Sequence, residues 1–567
     1  MPKGEDLQNK LEHIRRDAEE RDAQARAKQL GLTYIDARKT PTSIDALRLI
    51  QEDVAKSAKM AAVQIKVDEV AVAAYDPNDA KTQQAKKELE ARGYKVNMFV
   101  ASESGLSEVW HLYKYVGGKT EDITGKIAID EDQWKELQQQ FPNFQGAQKT
   151  FAAMQYGTVS TNELFKILLT GALATRTSDI HMEAEELGGK FRYRIDGILH
   201  DVAPRVPERN YKNVVSRVKL LSGLKLNIHS ETQDGRFTIR MVDRDIEMRV
   251  SIIPSQYGET IVMRILDPRG INVTLEQLGL RPDDLEMIQK EIQRPNGLIL
   301  NTGPTGSGKT TTLYTFLRTV STPEIKIITV EDPVEYHLPG ISQTQIDAKA
   351  GYTFASGLKS ILRQDPDVIL VGEIRDIETA EIAMNASLTG HLVFSTLHTN
   401  DAIGAVPRFV DLGVKPAILG PALTLVIAQR LVRKLCEHCK KPAQVTPEIK
   451  AKIGMLLARL PARVNKASYQ NPTIFEPGGC GECNNFGYKG RVGIYEFLRK
   501  TPELEELIAR GVTIIELRKA ADAQEMIYLQ QDGGLKVIKG VTSFEEVEDA
   551  TGPIEWEKKG GEQNTSS

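Results

Sequence analysis

One octapeptide, Gly303-Pro304-Thr305-Gly306-Ser307-Gly308-Lys309-Thr310, limits what this chain can fold into more than any other stretch. It fits the spacing G-x-x-x-x-G-K-[ST]; the apolar run Gly297–Leu300 enters it, and a helical pattern from Thr310 to about Arg318 leaves it. Glycines at 303, 306 and 308 let backbone N–H groups curl around phosphate oxygens at a positively polarised helix start. Lys309 is spaced to reach β- and γ-phosphates and Thr310 to hold Mg²⁺ by its hydroxyl, with Thr311 completing the binding set. Strand, loop and helix in that order call for an α/β fold.

The surrounding sequence supplies the rest of such a sheet. Leu298–Leu300, Ile327–Val330, Val368–Val371 and Leu392–Leu397 are short, apolar and β-rich, as expected of parallel strands covered on both faces. Strand ends of an open parallel sheet gather at the ligand crevice. Val368–Val371 runs into Gly372-Glu373. Many P-loop ATPases place an Mg²⁺-holding Asp where Gly372 stands, so Glu373 is the first acid available to orient or deprotonate an attacking water. Ile327–Val330 ends in Glu331-Asp332, and Leu392–Leu397 ends in His398 with His391 just before it. All of these are expected to converge on the phosphate loop.

At 567 residues the chain is too long for one hydrophobic core, so three or four domains are expected. A net charge of -4 lacks the basic surplus typical of nucleic-acid binders. No segment approaches the roughly 20 apolar residues of a membrane span, and the charged first thirty residues lack the apolar core of a signal peptide. The expected location is the cytoplasm, with any membrane role exercised through a partner. The 4 cysteines form two C-x-x-C pairs, Cys436/Cys439 and Cys480/Cys483, whose thiolates suffice for a closed tetrahedral Zn²⁺ site. Disulfides are unexpected in a reducing compartment, and a thioredoxin-like redox pair would need only one C-x-x-C in its own fold. The site is therefore read as structural, holding an excursion whose own core is thin.

Along the chain, residues 1–29 read as a charged helical leader with Glu12/Arg16, Asp17/Arg21 and Asp22/Arg26 at i,i+4. Residues 30–116 read as a small mixed docking domain, with helical spacing over Ile44–Val54 and strands at Glu69–Ala74 and Tyr94–Val100. A linker region with some helix spans 117–149. Residues 150–268 alternate as strands, Phe191, Tyr193 and Ile195 facing one way and Arg192, Arg194 and Asp196 the other. The phosphate-binding domain occupies 269–435, the cysteine module 436–487, a helical region 488–548 and a polar, acidic, disordered tail 549–567.

The ordered set of Gly303–Thr310, Glu331-Asp-Pro-Val-Glu, Leu362-Arg-Gln-Asp-Pro-Asp with Gly372-Glu-Ile-Arg, and Thr389-Gly-His-Leu through Ser395-Thr-Leu-His-Thr-Asn closely resembles the Walker A, Asp box, Walker B and His box of type II secretion and type IV pilus assembly ATPases. Ser178-Asp-Ile-His and Arg192-x-Arg-x-Asp-Gly resemble that family's second N-terminal domain. The resemblance covers about residues 30–540 and accounts for Gly372, since the family relies on the following Glu. It implies an α/β multidomain chain: a RecA-like P-loop core, a PAS-like α+β N-terminal domain, a small tetracysteine zinc module and a helical C-terminal region. It implies a homo-hexamer hydrolysing ATP with Mg²⁺, the nucleotide lying between the RecA-like and arginine-bearing domains, with Arg194, Arg236 and Arg249 as candidate arginine fingers. Glu373, Lys309, Glu331, Asp332, His391 and His398 complete the expected catalytic set.

The implied output is pilus extension or protein export, through an inner-membrane platform protein and a cytoplasmic-ring adaptor that hold the motor at the inner face of the membrane. Retraction motors of pili lack both the tetracysteine and the extra N-terminal domain. Some family members carry a longer N-terminal domain with a repeated cyclic di-GMP motif; only a shorter version begins here at Leu30, and that regulation is not expected. Two rival readings share the phosphate loop: a nucleic-acid-handling RecA-type motor for DNA transfer or uptake, and a passive scaffold with a dead nucleotide site.

Overall fold

Apolar alternation with period two sets the sheets of the first half of the chain. β1 (Thr33–Tyr34), β2 (Met60–Lys66), β3 (Glu69–Ala74) and β4 (Lys95–Val100) pair in the order β1-β4-β3-β2. The computed structural model describes residues 4–553 apart from 41, 67–68, 116–124, 130–133, 136–138, 140, 142, 272 and 470–471. The chain separates into two units, Met1–Asp267 and Pro268–Ser567. The acidic tail expected from 549 is still helical to Thr551, and from 554 onward it lies outside the described residues.

In the first unit the helix Gly4–Leu30 is more than a solvated leader. Its second half buries Ala23 and Ala27, lays Arg26 over the Tyr75 ring at 3.8 Å and places Glu20 where Tyr34, Arg38 and Ser102 donate to it. The Ile44–Val54 pattern is split into Ile44–Leu47 and Glu52–Ser57, so that Leu47 and Ile50 reach the core across the break.

A second sheet holds β5 (Lys126–Ala128), β6 (Asp179–Glu185), β7 (Gly188–Ile195), β8 (Ile198–Val206), β9 (Gln233–Arg240), β10 (Asp245–Ser255) and β11 (Gly258–Leu266), ordered β5-β9-β10-β11-β6-β7-β8. β7 buries Phe191, Tyr193 and Ile195 and leaves Arg192 and Arg194 half-buried on the other face, following the alternation in its sequence. The stretch expected as a linker contributes to this layer. Ile127 and Ile129 are buried beside β9, and a helix Phe144–Ala152, capped by Asn143, buries Phe144, Ala147 and Phe151.

The second unit is built on a sheet ordered β14-β13-β15-β16-β12-β17-β20, from β12 (Gly297–Thr302), β13 (Ile327–Glu331), β14 (Ser342–Gln345), β15 (Val368–Val371), β16 (Leu392–Leu397), β17 (Leu423–Leu435) and β20 (Tyr488–Arg499). Every pairing is parallel except β17 with β20. Strands β12, β13, β15 and β16 are buried throughout, as their predominantly apolar sequences lead one to expect of parallel strands covered on both faces.

Region 488–548, expected to be all helix, starts with β20, which closes the sheet edge. Leu435 pairs with Tyr488, so the cysteine module is an excursion inserted in a long β17–β20 hairpin. Within it β18 (Lys441–Pro442) pairs with β19 (Phe475–Glu476), and the helix Pro447–Arg459 packs Ile453 and Leu456 with Leu535, Ile538 and Val547 of the helices Leu529–Ile538 and Phe544–Thr551. The excursion thus shares a core with the C-terminal helices.

Candidate functional site

The phosphate loop leaves the C-terminal end of β12 and enters the helix Lys309–Val320. Gly303, Gly306 and Gly308 take φ of 151°, 79° and 89°, conformations that disfavour any side chain. Packing adds a second restriction: a Cβ at Gly303 would lie 2.6 Å from the Gln429 carbonyl, and one at Gly308 2.8 Å from Gln429 Nε2. Lys309 Nζ donates to the carbonyls of Gly303 at 2.8 Å and Pro304 at 3.1 Å. Ser307 Oγ is buried with no protein partner, and Thr310 is exposed at the helix start. Glycines that admit backbone close to a ligand, a lysine on weak neutral acceptors and an unpaired hydroxyl fit a polyphosphate, with Thr310 free to hold Mg²⁺.

Glu373 follows β15 at the same sheet edge and is largely buried. Its carboxylate pairs with Arg375 Nη2 at 2.6 Å and with His398 Nε2 at 3.3 Å. Burial pushes the Lys309 ammonium down to about 8; the Glu373 charge opposes that shift and Arg430 reinforces it. Gly372 is tightly boxed, since a Cβ there would lie 3.3 Å from Glu331 Cα and from the Val330 carbonyl. A side chain at this position requires the neighbouring strand to give by a few tenths of an ångström.

The remaining candidates divide by which edge of the sheet they occupy and which way they face. Asp332 is exposed, and its charge acts on Arg375. Glu331 is buried inside the fold, accepting from Tyr314 Oη at 2.5 Å, Thr329 Oγ1 at 2.6 Å and Gln343 Nε2 at 3.3 Å; burial raises its pKa. It therefore anchors β13 to the loop helix.

His391 does not converge on the loop. It precedes β16, which runs parallel to β12 with Leu392 opposite Gly297, and its Nδ1 faces the Ala386 carbonyl at 3.1 Å. Six residues of strand at about 3.3 Å each separate it from the crevice edge. The Leu362–Asp367 motif lies at that far edge too, where Asp367 accepts from the Lys326 N–H at 2.7 Å.

In the first unit, cross-strand register lines up Arg236, Arg249, Arg264, Asp179 and Arg194 on adjacent strands, hence on one face of the sheet. Asp179 pairs with Arg264 at 2.9 Å and Arg194 at 3.7 Å. Arg194 also donates to the Gly197 carbonyl, and Arg236 lies 4.0 Å from Glu247. The sequence reading named three of these arginines and missed Arg264, which only the strand pairing reveals. It also missed Gln429 and Arg430, although two polar residues ending the apolar run Leu423–Ala428 were a usable signal. Gln429 Oε1 accepts from Asn301 at 2.8 Å and Thr312 at 2.9 Å, bracing the loop from below.

The ligand atoms of Cys436, Cys439, Cys480 and Cys483 all lie within 4.8 Å of one another, with Sγ–Sγ separations of 3.8, 3.6 and 3.8 Å for 436/480, 439/483 and 480/483. A tetrahedron with Zn–S bonds of about 2.3 Å spaces its sulfurs by about 3.8 Å. The backbone N–H groups of Cys480 and Gly487 point at Cys483 Sγ, as suits a thiolate. The cysteines fit a structural zinc.

Comparison with known proteins gives concordant results. A family model described as "Type II/IV secretion system protein" matches residues 155–549. The type IV pilus assembly ATPase PilB of Myxococcus xanthus is 37% identical over 529 residues, 93% of this chain and 90% of that protein. The type II secretion system protein E of Dickeya dadantii is 44% identical over 385 residues, 68% of this chain and 74% of that one. Among solved structures, the Yersinia pseudotuberculosis ATPase DotB aligns with a TM-score of 0.52 at 21% identity, over 70% of this chain and 94% of its own, which speaks to the fold alone.

Proposed function

The chain belongs to the type II/IV secretion system protein family, and on that premise we propose that it is a motor ATPase whose hydrolysis of ATP drives assembly of type IV pili or of the related type II secretion pseudopilus. The observation that carries the chemistry is the pairing, at one sheet edge, of a phosphate loop bearing Lys309 with Glu373, whose charge acts on that lysine. Lys309 and the loop N–H groups hold the phosphates, and Glu373, fixed by Arg375 and His398, orients the attacking water and accepts its proton. Mg²⁺ at Thr310 would supply charge to shield the phosphate oxygens. Arg194, Arg236 and Arg249, with Arg264 as the fourth of the row, are the proposed phosphate-reading arginines. Assembly as a homo-hexamer, and contact with an inner-membrane platform protein and a cytoplasmic-ring adaptor, belong to the same proposal. Among the described residues no helix is long and apolar enough to cross a membrane, consistent with work at the membrane through partners.

A Glu373→Gln variant tests this. ATP binding should persist while turnover falls by about 10²–10⁴. Turnover at the wild-type rate would remove Glu373 from the role. The rival reading, a nucleic-acid-handling motor, gains nothing from the relatives named above; DNA should leave the ATPase rate unchanged.

A further inference from the structure

We propose that Arg430 is a positioning residue that couples phosphate in the loop to the backbone segment carrying His398. β17 runs parallel beside β12 with Ala428 opposite Thr302, so Arg430 stands just past the strand end where the phosphate loop begins. A Cβ added to Gly303 would lie 3.0 Å from Arg430 Nη1. Its other end reaches away from the loop: Nη2 donates to the Asn400 carbonyl at 2.7 Å, while Nη1 donates to the Gln429 carbonyl at 3.0 Å. One guanidinium thus spans the phosphate loop and the residues after β16.

That segment is held elsewhere by an uncharged hydroxyl acceptor and by a carboxylate from behind. Thr399 N–H donates to Thr302 Oγ1 at 2.8 Å, and Ala402 N–H donates to the buried Glu496 at 2.7 Å. Arg430 holds the stretch between them, two residues from the His398 that meets Glu373. Both acceptors of Arg430 are neutral carbonyls, whereas a phosphate brings its own negative charge and can accept two parallel N–H groups of one guanidinium. Nucleotide in the loop therefore draws the guanidinium off the Asn400 carbonyl and frees the Asn400–Ala402 backbone. Loss of the phosphate returns it.

The inference rests on the nucleotide-site reading above, and its test separates the two. The full-length chain and its Arg430→Gln and Arg430→Lys variants are compared by titration with a fluorescent ADP and by amide hydrogen exchange, with and without ADP. In the wild type, ADP should speed exchange over Asn400–Ala402. In Arg430→Gln the ADP dissociation constant should rise by about tenfold or more, as for a lost bond to a charged group. In Arg430→Lys, which keeps the charge but not the fork, it should change by less than about threefold, with kcat lowered and KM retained. In both variants the exchange should be fast without ADP and unresponsive to it. An ADP-responsive segment in either variant, or wild-type affinity in Arg430→Gln, overturns the proposal while leaving the nucleotide site intact. Failure of the wild type to bind ADP would overturn the site itself. Should Arg430→Gln fail to fold, judged by zinc content and thermal unfolding, the exchange response of Arg430→Lys decides alone.

Discussion

The depressed Lys309 ammonium makes nucleotide affinity a function of pH in a window where most proteins are indifferent. Burial lowers its pKa from the ordinary 10.5 to about 8, with Glu373 opposing and Arg430 assisting. Phosphate oxygens arriving within hydrogen-bond reach restore the charged form, so binding takes up a proton wherever the free lysine is neutral. At pH 7 the uptake is about one-tenth of a proton per ADP, and at pH 9 about nine-tenths. Affinity should be flat below pH 8 and fall toward about tenfold per unit above it. Stability of the free protein moves oppositely: because the folded pKa lies below the unfolded value, the cost of holding this cation is full below about 8 and fades toward 10.5. Calorimetric titration with ADP at pH 7 and 9, in buffers of different ionisation enthalpy, counts the protons directly. Lys309→Arg, which stays charged, should abolish the uptake. Equal proton counts at the two pH values, or uptake that survives in the arginine variant, would refute the assignment to Lys309.

Three further outcomes are expected. Chelation, or Cys436→Ser with Cys480→Ser, should release one zinc per chain and open 436–487 to proteolysis, since structural zinc contributes on the order of 10 kcal/mol to such modules; a chain that holds no zinc as purified would contradict it. Gly372→Asp should lower stability by about 1–3 kcal/mol in urea unfolding through the 3.3 Å contacts a Cβ makes with β13, and an unchanged midpoint would show that the strands yield freely. Arg281→Met strips the buried Asp284 and Asp532 of a guanidinium 2.7 Å from each and should cost about 3–5 kcal/mol at pH 8. The loss should shrink on acidification, because burial raises Asp284 to about 7, and a carboxyl raised in the fold is least costly while protonated.

What could be read from the residues was whatever local pattern alone determines. The loop, the buried strands β12, β13, β15 and β16, and the cysteine pairs each carry their physics within a few consecutive positions. β14 escaped notice because Ser342–Gln345 is polar, a strand by virtue of its edge pairing with β13. β20 was read as helix because Gly490, Gly493 and scattered charges blur its alternation, while its partner β17 lies far away in sequence. The arginine row needed register: Arg236, Arg249, Arg264 and, across Asp179, Arg194 are unrelated in spacing and line up only when five strands pair.

His391 and Glu331 show the two kinds of information that motif reading lacks, strand direction and side-chain facing. Histidines bracket β16 and acids end β13 and β15, but a parallel sheet gathers only its C-terminal ends at the crevice, and alternation turns Glu331 inward to Tyr314. At the far edge the same residue types serve the backbone, as Asp367 does for Lys326 and His391 for Ala386. At the crevice two cations hold neutral, exchangeable partners. Lys309 rests on two carbonyls of its own loop and Arg430 on two more, one of them in the segment that follows His398. A triphosphate offers each cation an anionic acceptor in place of a neutral carbonyl, so a single ligand exchanges several cation–carbonyl bonds for ion pairs at one edge of the sheet. Because those neutral acceptors are backbone, the exchange is felt as slack in particular segments, which gives a nucleotide a direct physical handle on the chain around it.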